Sequence, residues 1–297
     1  MKPSPEIIPP NTEWPVEAIT RVASESGKPL EVECAAAFLA SNWEAWLGSH
    51  FNDGGRIREL DVLVEKATLV PIAHEKGARC TSRVLLSCKG FPPHCAPLTY
   101  SVSKHNVPEL DPTLVANELA LPSPVPGRAH DFIAEVEDGS AVRLLETLGL
   151  RDQPRVVGFD TVERRVAKDK TATFTRARDG DHPIHSALDS ALKAAIYWNS
   201  RVPSGWSGDT QPEVLLHVPI CVLSVPAWDV TIDGGRTGIA QVREIGFQTN
   251  YYPFGYGGRQ VTTLIIAMPA LGRAINALDS MHTWLCELVK ARYPAKG

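Results

Sequence analysis

The chain has 297 residues, with 43% hydrophobic and 22% charged side chains and a formal net charge of −4. Length and composition are those of an ordinary globular protein able to bury a sizeable core. The charge excludes a uniformly basic nucleic-acid binder, and no apolar run is long enough to span a bilayer.

Residues 1–14 are rich in proline and lack the apolar stretch of a signal peptide, so they read as a flexible leader. Pro15 to Ser26 carries Val16, Ile19 and Val22 at helical spacing. From Leu30 the alanine-rich run LEVECAAAFLAS predicts a helix with Leu30, Cys34, Ala37 and Phe38 on one apolar stripe. Trp43 to Phe51 reads as a strand, Asn52-Asp53-Gly54-Gly55 as a hairpin turn, and Arg56 to Lys66 as the second strand. Residues 67–82 are less regular and extend the hairpin. Arg83 to Lys89 is a compact apolar strand stopped by Gly90, Pro92 and Pro93.

The stretch from 101 to 181 reads as a long insertion with Pro-rich loops, a helix around Ala141 to Leu148 and a short strand at Arg155 to Phe159. An amphipathic helix over His185 to Ser200 follows, with Asp181 and Pro183 marking its start. Leu215 to Val225 is nearly all apolar and fits a central strand covered on both faces, with Pro219 at a bulge or edge. Strands are expected over 227–232, 240–249 and 260–268, and a long helix carrying Leu271, Ile275, Leu278, Leu285 and Leu288 closes the chain. The order is α/β: one domain over 15–297, with a core over 28–100 and 182–225, the insertion, and C-terminal strands and helix over 226–292.

The six cysteines form no CxxC pair, and Cys34, Cys221 and Cys286 fall in apolar segments as small buried hydrophobes. Reduced thiols and a cytoplasmic setting are expected. Cys80, Cys88, His94 and Cys95 lack the paired spacing of structural zinc, and ordinary thiols are the simpler reading. GWSGD at 205–209 is one residue short of a nucleophile elbow. The loop 254–260 is not followed by the helix that a dinucleotide fingerprint needs. Its Tyr256 and Arg259, with Tyr251 and Tyr252, read as base-stacking or phosphate-contacting candidates, or simply as a solvated aromatic loop.

Chemistry concentrates in the first half. Residues two apart on a strand share a face, which puts Glu59 with Asp61 and Ser87 with Lys89. Behind them lies a helix bearing Glu31 and Glu33. Carboxylates beside a lysine suit metal-assisted phosphodiester hydrolysis, in which Mg²⁺ takes hard oxygen ligands and lowers the pKa of a bound water. Acid-x-acid and apolar-strand-lysine patterns are also common on ordinary solvated strand faces.

The runs PLEVECAAAF, FNDGGRIRELDVLVEK and VLLSCKG, with the later SALDSALKAAIYWNSR, LLHVPICVLSV and VTTLIIAMPALGRAINAL, resemble the PD-(D/E)xK, restriction-endonuclease-like superfamily, particularly its Mrr-like branch. The resemblance implies a central mixed sheet flanked by helices. It also implies Asp61, Glu31 and Glu59 as Mg²⁺ (or Mn²⁺) ligands and Lys89 as the water-orienting group. DNA is the implied substrate, with a homodimer or protein partner also open. The second motif acid is expected at position 87, where this chain has Ser87, a neutral and weak ligand. Either Glu59, Glu65 or Glu31 supplies the missing charge, or the module is catalytically inactive and binds nucleic acid or a protein. Arg56, Arg58, Lys104, Arg164, Arg165 and Lys168 are the candidate phosphate contacts.

Overall fold

The computed structural model describes residue 20 and residues 27–102, 112–119, 129–167, 171–176, 183–200, 211–233, 235–254 and 257–295. The leader, GWSGD, Lys104, Lys168, Asp181, His182 and Tyr256 lie outside them, as do the side chains of Tyr251, Tyr252 and Arg259.

Helix α1 (Lys28–Leu39) leads into strands β1 (Glu44–Asp53), β2 (Arg56–Ile72) and β3 (His74–Lys89). The turn between β1 and β2 is a two-residue loop because Gly54 and Gly55 hold φ of 57° and 92°, a backbone that side chains resist. Asn52 Oδ1 accepts the Gly55 N–H at 2.7 Å and closes it. Strands β2 and β3 run well past the expected ends, so residues 67–82 do extend the ladder.

β4 (Cys95–Val102), β5 (Val115–Leu119), helix α2 (Ala129–Thr147), β6 (Arg155–Val166) and β7 (Ala172–Arg176) follow. Next come α3 (Pro183–Ser200), β8 (Glu213–Leu223), β9 (Ala227–Asp233) and β10 (Arg236–Arg243). The chain finishes with β11 (Ile245–Phe254), β12 (Gly257–Ala267), a 3₁₀ turn (Met268–Ala270) and α4 (Leu271–Arg292). The single strand expected over 240–249 is therefore two strands, β10 and β11.

The architecture is α/β. The larger, mixed sheet has the order β1-β2-β3-β8-β12-β11, with β5 also on β8, and β3-β8 and β8-β12 are its parallel pairs. Even-numbered residues of β8 (Val214 to Val222) join α1, α2 and α4 in the main apolar cluster. On the other face Cys221 and Leu223 meet Ile184, Ala187 and Leu188 of α3. Burial on both faces accounts for the unbroken apolar run in β8. Pro219 sits inside β8 with no shift of register against β3. It is tolerated because β5 ends at His217 and β12 begins at Ile220, so a missing N–H there breaks no ladder.

The insertion does more than decorate. It supplies β5 to the large sheet, while β4, β6 and β7 build a second sheet, order β10-β9-β4-β6-β7. Helix α2 packs on α4; there a Cβ at Gly139 would lie 2.4 Å from the Trp284 ring, so any larger residue would displace that ring. No described helix is long and apolar enough to cross a membrane.

Candidate functional site

Asp61 and Ser87 are brought together, and Glu31 and Glu59 are brought together, but the two pairs have different partners. Lys28, in the first turn of α1, places its ammonium 2.8 Å from Glu31 Oε2 and 3.1 Å from Glu59 Oε1. Hydrogen bonds to Glu31 and then Glu59 push the Lys28 pKa above its ordinary value. A solvent-exposed lysine ammonium thus stands between these two carboxylates.

Asp61 is engaged elsewhere. Its Oδ2 accepts the Ser87 hydroxyl at 3.0 Å and the Cys88 N–H at 2.6 Å. The regular β2–β3 register begins only at Val62 opposite Leu86. The carboxylate therefore replaces a ladder bond where the strands separate. The cause lies in β2 itself. Leu60 packs with Phe51, Leu85 and Ala194, whereas Val62 and Val64 pack in the main cluster across the sheet. Pairing with β1 skips Asp61, opposite Gly48, whose φ is 65°. Strict alternation is broken at Asp61, as at a bulge. The rule that residues two apart share a face fails here for this reason, since Leu60 and Val62 lie in different layers, and with it goes the argument that placed Glu59 beside Asp61.

Lys89 is half-buried at the end of β3, opposite Leu223 of β8, and its carbonyl accepts the Ser224 N–H at 3.0 Å. Cys88 faces away from it, in the main cluster, with its Sγ 3.8 Å from that of Cys34. The cysteines are free thiols, and among the described residues no three His, Cys, Asp or Glu side chains gather to hold a metal ion. The donor set does not fit Mg²⁺ or Mn²⁺, since two of its carboxylates share an ammonium and the third closes a strand ladder.

Two of the candidate basic residues are similarly committed. Arg58 pairs with Asp53 at 2.6 Å and Arg165 with Glu163 at 2.8 Å, leaving Arg56 and Arg164 exposed on different sheets.

Two features had no signal in the sequence. The first is a buried polar centre under the second sheet. Asp229 Oδ1 accepts the hydroxyls of Thr99 at 2.6 Å and Ser101 at 2.7 Å, and its Oδ2 lies 2.9 Å from Arg243. Arg243 also donates to the Pro154 carbonyl at 3.0 Å. The cavity beside it, between Thr99, Leu223, Arg243 and Gly246, has a volume of about 10 Å³. That is at most room for a water, so the centre is structural.

The second is the opposite face of that sheet. Trp228 and Val242 are directly paired across β9 and β10 and are 45% and 57% exposed. Leu98 of β4 is the next residue in the row. Farther out, Val166 and Phe174 on β6 and β7 are 59% and 67% exposed. Alternating i, i+2 positions should be polar on a solvated sheet face; Asp160, Arg164 and Arg176 follow that rule on β6 and β7, whereas Trp228, Val242 and Leu98 break it.

No protein family, curated protein or solved structure matches the chain. With the site geometry, this overturns the reading of the chain as a Mg²⁺-dependent nuclease or hydrolase. The ligands that reading requires are not assembled among the described residues, and no relationship supplies independent support.

Proposed function

We propose that the chain is a non-catalytic module with an endonuclease-like core, which holds a protein partner on the outer face of its five-stranded sheet. The order of Glu31 on α1, Asp61 on β2 and Lys89 on β3 supports the architectural relationship. The engagement of Glu31, Glu59 and Asp61 by protein groups supports the loss of chemistry. The observation that carries the binding role is the exposed Trp228–Val242 pair, continued by Leu98. Contiguous apolar patches rimmed by polar groups mark protein contacts, and tryptophan is a preferred anchor there. A protein is favoured over DNA because a phosphate surface needs clustered free cations, whereas Arg58 and Arg165 are paired with carboxylates and the exposed Arg56 and Arg164 lie on different sheets.

The test is a photo-crosslinking residue placed at Trp228 in the full chain, with the same residue at exposed Arg56 as control. A discrete adduct at 228 that is absent at 56 and lost with Val242→Lys is expected. An adduct of twice the chain mass identifies the partner as a second copy. Equal labelling at both positions refutes the surface. Salt-sensitive duplex-DNA affinity that survives Val242→Lys refutes the choice of partner.

A further inference from the structure

His282 and Cys286 stand one turn apart on α4, so they project from the same side of the helix. Cys286 Sγ lies 3.7 Å from His282 Nε2. The imidazole is held at both nitrogens, with Ser82 Oγ 2.9 Å from Nδ1 and Thr68 Oγ1 2.8 Å from Nε2. Strand β3 brings a second sulfur to the same place. Cys80 is two residues before Ser82 and directly opposite Thr68 of β2, which brings its thiol to the Thr68–His282–Cys286 group. The two thiols differ in access, since Cys80 is fully buried and Cys286 is half-exposed. Cys286 is thus not the inert core thiol that its apolar helix suggested.

We propose that Cys286 is a site of oxidation by hydroperoxides and that Cys80 resolves the product to a disulfide joining α4 to β3. The Cys286 sulfur attacks the outer peroxide oxygen, the O–O bond breaks, and the departing alkoxide or hydroxide takes a proton to leave as alcohol or water. Cys286 is then a sulfenic acid. The Cys80 sulfur attacks it, the S–O bond breaks, and hydroxide leaves as water with the Cys80 proton. Two thiols have given two electrons to one hydroperoxide. The neighbouring Cys80 thiol, then the contacts with His282 and Thr68, pull the Cys286 pKa below its ordinary value. A lowered pKa favours the thiolate, which is the nucleophilic form. The bond requires the sulfurs to close to about 2.05 Å through rotation of both side chains.

The molecule carries its own controls. Cys34 and Cys88 are a second close pair, at 3.8 Å, but both are buried. Cys95 is half-exposed, but burial and the Glu163 carboxylate push its thiol pKa up.

The experiment treats the full chain with hydrogen peroxide, blocks the remaining thiols and maps peptides without reduction. A Cys80–Cys286 link that dithiothreitol reverses is expected. Cys80→Ser should leave a sulfenic acid on Cys286 that dimedone traps, and Cys286→Ser should abolish both products. Circular dichroism confirms that the variants fold. A Cys34–Cys88 link formed first, dimedone labelling confined to Cys95, or six intact thiols after treatment overturns the proposal. So does a link that persists in Cys286→Ser.

Discussion

His217 sits in the middle of β8, fully buried between Arg83 of β3 and Val115 of β5. Neither ring nitrogen finds a hydrogen-bond partner among the described residues. Burial, and then the neighbouring Arg83 guanidinium, push its pKa down to about 3. In the unfolded chain the ring returns to an ordinary value of about 6.5. Between these values the unfolded state holds a proton that the folded state lacks, so stability rises with pH and falls on acidification. The slope is about 1.4 kcal/mol per pH unit. From pH 6.5 to 5, above most carboxylate titrations, the loss assigned to His217 is about 2 kcal/mol. His217→Leu keeps a comparable volume and removes both the titration and the unpartnered nitrogens. The variant should match or exceed the wild type at pH 7 and gain about a further 2 kcal/mol over it by pH 5. Urea unfolding at pH 7, 6 and 5 measures this as a separation of midpoints on the order of half a molar or more. Parallel pH dependences for the two proteins would refute the argument.

Two further perturbations examine the polar centres. Asp229→Ala removes the partner of a buried guanidinium and should cost about 3–5 kcal/mol in urea unfolding; a loss under about 1 kcal/mol would show that Arg243 finds water instead. Asp61→Ala leaves the Cys88 N–H and Ser87 hydroxyl without their acceptor and should cost about 1–3 kcal/mol. Lys89→Ala should change stability by less than about 0.5 kcal/mol, and equal losses in the two variants would contradict a structural role specific to Asp61.

Elements governed by local rules were legible in the sequence. The Asn52 to Gly55 turn, the α3 stripe and the doubly covered β8 follow from glycine conformation and hydrophobic period, which neighbours in sequence determine. The same rules misjudged β2. Alternation by two holds only while the strand is regular, and the irregularity opposite Gly48 sends Leu60 and Val62 to different layers. A positive φ at one glycine carries little sequence signal.

The carboxylates show the larger divide. The sequence by itself determined that Glu31, Glu59 and Asp61 would come from adjacent elements. Tertiary structure alone decided which groups each would meet: Lys28 for the first two, and the Cys88 amide with Ser87 for the third. The Asp229–Arg243 pair, the contact of the Cys286–His282 pair with Thr68 of β2 and Ser82 of β3, and the exposed Trp228–Val242 pair of the second sheet are decisions of the same kind. Each joins residues on separate elements. Side-chain type fixes what a group can bond, but only the packing of distant elements fixes which partner lies within reach.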